Sequence, residues 1–345
     1  MNRQTQVVRA FGGEQCRDSI RLAARVICAG GLVVMPTETV YGIGANALDE
    51  EAVAGIFAAK GRPQDNPLIV HIARREELYR LARRVPAAAE KLVERFWPGP
   101  LTIILPKGEL IPPSVSAGLD TVALRMPCHP VARGILLESG LPVAAPSANL
   151  SGKPSPTTAE HCVEDLMGRV DLIVDGGPCD VGVESTVVTL EGPVPRLLRP
   201  GGVTREELRE ALGELEVDKA VNSQIDESAP VSSPGMKYKH YAPKATVVLV
   251  HADFPRFASF VAEKAGEGVF ALAFDEDLPR LTVPCVGYGG EDDPAGQARQ
   301  LFGALRELDA RGAKDVYARS PSPRGLGLAV YNRLVRAAAF REITL

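Results

Sequence analysis

Six cysteines in 345 residues, Cys16, Cys28, Cys128, Cys162, Cys179 and Cys285, fall at scattered intervals with no CxxC. That spacing supports neither a zinc site nor a disulfide framework, and fits small buried thiols in a reducing compartment. Aromatic residues make up 5%, with Trp97 the single tryptophan, so no base-stacking platform is evident. No run of about 18 uncharged apolar residues is present to span a membrane. Met1 to Ala10 also lacks the apolar stretch of a signal peptide, and a cytoplasmic address with no membrane partner is expected. Basic residues number 39 against 43 acidic, a net charge of −4, which excludes a polybasic nucleic-acid coat. GxxxxGK[ST], HExxH, GxSxG and the kinase motif set are all missing, so a nucleotide here would not sit on a P-loop. His129, His161 and His251 are isolated and read as surface or structural residues.

The chain does have the 45% hydrophobic and 24% charged content of an ordinary globular protein, at a length that suits two domains. Helical periodicity over Ile20 to Ala29 stops at Gly30-Gly31, and helices are also expected over Glu50 to Ala59 and, with proline in the first turn, over Pro86 to Phe96. Short apolar runs between Leu32 and Leu198 alternate with these at unequal intervals, predicting one large twisted mixed sheet. Thr204 with Glu207 three residues on is a capping box that opens the last helix of this part, ending at Leu212. Residues 213–244 then read as a polar, proline-interrupted linker. From residue 245 strands and helices alternate simply, predicting a smaller Rossmann-like α/β domain without a dinucleotide glycine fingerprint.

Four segments of the first domain are dense in polar residues where core building explains them least. Pro36 to Gly44 offers hydroxyls and close backbone approach after a buried strand, although the same residues also suit an ordinary strand-to-helix turn. Lys60-Gly61-Arg62 through Asn66 to His71 presents two cations at a helix C-terminus stiffened by Pro63 and Pro67, and holds polar residues beyond what helix-end charge complementation needs. Arg125 ends the otherwise apolar strand that begins at Thr121, and needs an anionic partner, from the protein or from a ligand. Ala145 to Ser155 is a turn dense in hydroxyls and amides able to aim donors at phosphates. Glu184-Ser185-Thr186 and Arg199-Pro200-Gly201-Gly202 flank strands farther on.

Together these segments resemble the YrdC/YwlC family of threonylcarbamoyl-AMP synthases over residues 15–210, and Lys237 to Pro243 with the small domain resembles its longer, two-domain branch. The resemblance implies a YrdC-like catalytic domain over 1–212, a linker or active-site lid over 213–244 and a Rossmann-like domain over 245–345. It implies synthesis of threonylcarbamoyl-AMP and pyrophosphate from L-threonine, bicarbonate and ATP with Mg²⁺. The product would pass to a separate tRNA threonylcarbamoyl transferase that modifies adenosine beside the anticodon. By motif position, Thr39, His71, Arg125, Ala145 through its backbone, and Ser185 would hold threonine. Lys60, Arg62, Asn66, Thr121, Ser147, Ser155 and Arg199 would face ATP, with Tyr241 reaching back from the lid. No residue is assigned to covalent catalysis or to a metal, since nucleotidyl transfer needs mainly positioning and charge neutralisation.

Two rivals stand beside this reading. One is an RNA-binding module without nucleotidyl transfer. The balanced charge of both parts gives that module no strong electrostatic footprint, while weak RNA binding through a local patch stays open. The other is the carbamoyl-transfer enzyme of hydrogenase maturation, which contains a similar domain but also zinc-finger cysteines and an acylphosphatase-like region that this sequence lacks.

Overall fold

A computed structural model describes residues 3–221, 223 and 241–345. In chain order the first domain comprises β1 (Gln6–Arg9), α1 (Gly13–Cys28), β2 (Val33–Met35), β3 (Gly42–Asn46), α2 (Glu50–Lys60), β4 (Ile69–His71), α3 (Glu76–Leu81) and α4 (Ala87–Phe96). It continues through β5 (Leu101–Pro106), α5 (Pro113–Ser116), β6 (Thr121–Arg125), α6 (Pro130–Ser139), β7 (Val143–Ala144), α7 (Ala159–Leu166) and β8 (Leu172–Asp175). β9 (Thr186–Thr189), β10 (Arg196–Arg199), α8 (Arg205–Leu212) and β11 (Glu216–Val217) complete it. The second domain runs β12 (Thr246–His251), α9 (Phe254–Glu263), β13 (Val269–Ala273), β14 (Cys285–Gly287), α10 (Pro294–Ala310), β15 (Asp315–Arg319), α11 (Gly327–Ala337) and β16 (Glu342–Thr344).

The first eleven strands form one mixed sheet in the order β1-β8-β2-β3-β7-β4-β6-β5-β9-β10-β11. The last five form a wholly parallel sheet ordered β14-β13-β15-β12-β16. The expected architecture is thus present: a large mixed sheet and a smaller parallel one. Ile43, Val70, Ile103, Leu124 and Val188 pack from one face of the large sheet against Ile56, Phe57 and Leu92 of α2 and α4. Val33, Met35, Val143 and Val174 pack with Ala23, Ile27 and Ile135 of α1 and α6.

Local chemistry explains where elements begin. Asp49 caps α2 by accepting from the Glu51 and Ala52 amides, and Gly61 ends it in the left-handed region at φ 60°. The Thr204–Glu207 capping box opens α8 as expected. Helix α1 starts at Gly13, earlier than the apolar periodicity from Ile20 marks, and its first turns are mostly exposed with no apolar stripe to signal them. Pro86 caps α4 from outside rather than entering its first turn. The segment after β2 leads to another strand, β3, not to a helix, and β3 pairs antiparallel with both β2 and β7. Gly44 is required there, since a Cβ would lie 2.8 Å from Val143 Cγ1. The start assigned to the linker also shifts: after residue 212 the chain adds β11 to β10 and packs Ala220 onto the first domain. Most of the expected lid, residues 224–240, lies outside the described residues.

Candidate active site

The middle strands carry the polar residues to one end of the large sheet. Register places His71 of β4 opposite Arg125 of β6, and Arg125 opposite Thr102 of β5. Ser185, just before β9, shares a hydrogen bond with Thr102 at 2.8 Å between the two hydroxyl oxygens. Arg199 at the end of β10 donates from Nε to the Ser185 carbonyl at 3.0 Å and from Nη2 to its Oγ at 3.1 Å. Gly201 keeps this corner closed, because a Cβ there would lie 2.3 Å from the Thr186 amide nitrogen.

His71, Arg125, Ser185 and Arg199 line a narrow cleft of about 70 Å³ that opens to solvent. Thr39, Lys60, Arg62, Asn66, His71, Arg125, Ala145, Ser147, Ser155, Ser185, Arg199 and Tyr241 all line it. Thr121 does not. It starts the strand that Arg125 ends, about 13 Å back at ~3.3 Å per residue. Between the two, Ala123 packs in an apolar floor with Ile69, Ile104 and Ala220. The structure therefore does not bring Thr121 to the cleft.

The cleft holds cations in excess, of which Lys60, Arg125 and Arg199 are buried. Lys60, Arg62, Arg125, Lys153 and Arg199 line it against one lining carboxylate, Glu184. Burial, reinforced by the Arg62 charge, pulls the Lys60 ammonium well below its usual range. Burial likewise brings Arg199 down to about 10. Lys60 Nζ donates to the carbonyls of Ser147 and Asn149, the latter at 2.6 Å, so it also struts the Ala145–Ser155 turn. Burial and the Arg125 charge hold His71 neutral, down at about 3. Its Nδ1 and both polar atoms of the Asn66 amide are buried without a hydrogen-bond partner among the described residues. Orphaned polar atoms of that kind are costly unless a ligand satisfies them.

Arg125 finds its protein partner in Glu38, a residue the sequence reading left without a role. Arg125 Nη2 donates to Glu38 Oε1 at 2.7 Å, with side chains 5% and 3% exposed. Burial raises the Glu38 carboxyl, but the Arg125 charge together with hydrogen bonds from Arg125 and the backbone outweighs it, and the group lies below its usual range. Arg125 Nε reaches the Gly99 carbonyl at 3.4 Å, and Nη1 makes no hydrogen bond among the described residues. That nitrogen is the one left to meet a carboxylate.

Tyr241 returns from the linker to the cleft, although its ring belongs to the second domain's core. It stacks 5.3 Å from Phe302 in α10, and the next residue, Ala242, donates its amide to the Gly152 carbonyl at 3.0 Å. Its φ of 63° is unusual for a residue with a side chain and fixes this reversal. Arg306 of α10 adds a brace, donating to Asp165 at 2.8 Å and to the Pro154 carbonyl at 2.7 Å. Neither Glu38 nor the second-domain arginines were picked out from sequence. A Thr-Glu-Thr turn and the polar positions of two amphipathic helices give no local sign of a tertiary partner.

Comparison with known proteins agrees with the two-part architecture. Residues 25–201 match the Sua5/YciO/YrdC family, whose description reads telomere recombination. Residues 203–339 match the threonylcarbamoyl-AMP synthase C-terminal domain. A Pyrococcus abyssi protein named threonylcarbamoyl-AMP synthase is 47% identical over 94% of this chain and 95% of its own. A Bacillus subtilis protein of the same name is 47% identical over 94% of each chain. The crystal structure of P. abyssi Sua5 complexed with L-threonine superposes with a TM-score of 0.90 at 45% identity, covering 99% of both chains.

Proposed function

The chain belongs to the Sua5/YciO/YrdC family, in its two-domain threonylcarbamoyl-AMP synthase branch, and on that premise we propose how the cleft shares out its substrates. The enzyme is a nucleotidyltransferase that forms threonylcarbamoyl-AMP, the donor for threonylcarbamoyladenosine in tRNA. L-Threonine takes the end nearest Arg125, its carboxylate on Nη1, with Thr39, His71, Ser185 and the Ala145 backbone around it. A neutral His71 suits this place, because it offers a hydrogen bond without competing for the carboxylate's charge. ATP takes the other end, with Lys60, Arg62 and Arg199 toward the phosphates and Asn66, Ser147, Ser155 and Tyr241 completing the walls. The threonine carbamate oxygen attacks the α-phosphorus, the bond to the bridging oxygen breaks, and pyrophosphate leaves with the electron pair. The protein supplies alignment and positive charge.

The observation that carries this assignment is a cleft of surplus cations beside the buried Asn66 and His71 atoms that have no hydrogen-bond partner among the described residues. Mg²⁺ fits as a companion of the nucleotide. The lining carboxylate Glu184 already accepts from Ser155 and Arg333, so phosphate oxygens would supply the ion's ligands. No described helix is long and apolar enough to cross a membrane. A cytoplasmic site of action follows from the substrates, as does delivery of the product to a tRNA threonylcarbamoyl transferase.

The test is pyrophosphate release with ATP, Mg²⁺, bicarbonate and L-threonine. Release that requires threonine and prefers it over serine is expected. Release without threonine, or equal release with serine, would overturn the assignment.

A further inference from the structure

The nucleotide wall of the cleft is completed by the second domain. Glu184 is 6% exposed, and its Oε1 accepts from the Ser155 hydroxyl. Its Oε2 accepts from Arg333 Nε at 2.8 Å, a contact spanning 149 residues of sequence. Arg333 lies on α11, is fully buried, and spreads its other nitrogens over the same wall. Nη1 donates to the Pro200 carbonyl at 2.8 Å and Nη2 to the Glu184 carbonyl at 3.3 Å. Its guanidinium carbon also lies 5.6 Å from the centre of the Tyr241 ring.

A carboxylate beside a triphosphate is a liability unless its charge is cancelled from behind. Burial alone would raise the Glu184 carboxyl, yet the charges of Arg333 and Arg199 hold it below its usual range, so it is ionised. Among the described residues Arg333 is the cation that hydrogen-bonds the Glu184 carboxylate, while Arg199 also bonds Ser185. We propose that Arg333 is a positioning residue of the synthase: from the second domain it neutralises Glu184 and fixes Ser155, so that the phosphates of ATP meet cations and a hydroxyl rather than an uncompensated acid. This rests on the assignment of that end of the cleft to ATP.

Arg333→Met keeps the bulk and removes the charge. Its KM for ATP is expected to rise on the order of tenfold or more, as for loss of a charged hydrogen bond, with KM for threonine within about twofold of wild type. The double variant E184Q/R333M is expected to recover most of the ATP affinity, because an amide no longer repels phosphate and still pairs with Ser155. Thermal melts of all three proteins accompany the kinetics. An unchanged KM for ATP in R333M would overturn the proposal. So would a loss shared equally by kcat and both KM values that the double variant does not repair, since that marks a structural brace only. A wild-type protein lacking threonine-dependent pyrophosphate release would instead refute the cleft assignment, whereas an active wild type with a silent R333M refutes this inference alone.

Discussion

Removing Arg125 should damage folding and threonine binding by separate routes, and the structure gives a size to each. Arg125→Met takes the cation at 2.7 Å from Glu38, whose side chain is 3% exposed and whose Oε2 already lacks a partner among the described residues. Breaking a buried pair from one side typically costs about 3–5 kcal/mol, or somewhat less if the carboxyl takes up a proton instead. Threonine loses a charge-assisted hydrogen bond worth ~1.5–3 kcal/mol, a rise in KM of about 10- to 150-fold. Urea unfolding reads the first loss, and threonine-dependent pyrophosphate release at saturating ATP reads the second. The double variant E38Q/R125M separates them: a neutral amide beside the methionine should regain most of the stability and none of the threonine affinity. Unchanged threonine KM in R125M, or recovery of that KM in the double variant, would refute the assignment of Arg125 Nη1 to the threonine carboxylate.

Asn66→Leu should leave stability unchanged or raise it by about 1 kcal/mol, because two buried unpartnered atoms disappear, while KM for ATP rises roughly tenfold. A destabilised variant with normal ATP affinity would contradict a ligand-facing amide. Stability should also fall on acidification. His71, at about 3, and His161, at about 4, stay neutral when native, whereas in the unfolded chain they bind protons below about pH 6.5. The unfolded state therefore gains protons first, and stability present at neutral pH is lost as pH drops through that window. With the half-buried His161 counted at less than full weight, the loss between pH 7 and 5 is on the order of 2–4 kcal/mol. Equal unfolding free energies at the two pH values would exclude buried neutral imidazoles.

What could be read from the sequence depended on whether the signal was local. Arg125 stood out because a lone charge ended an apolar strand, and the anion it needed was correctly left as protein or ligand; the structure uses Glu38 and leaves Nη1 over. The Gly30-Gly31 stop and the Thr204 capping box are short-range chemistry, and both were placed. Thr121 was grouped with Arg125 by motif, but strand length and the packing of Ala220 on the intervening floor separate it from the cleft. Strand β3 was hidden because Gly42 and Gly44 carry no β signal, and their role appears only when β2 and β7 close on either side. Arg306 and Arg333 look like ordinary polar positions of amphipathic helices until the domains meet.

The pairing of Glu184 with Arg333 also orders events during synthesis. The two residues are 149 positions apart, so at ~5–20 residues per second the carboxylate leaves the ribosome about 7–30 s before its counter-ion. A first domain that folds in that interval carries Glu184 without its second-domain cation, and the wall becomes charge-balanced when α11 docks. Maturation of the nucleotide site is therefore a late step in the life of each new chain, set by translation.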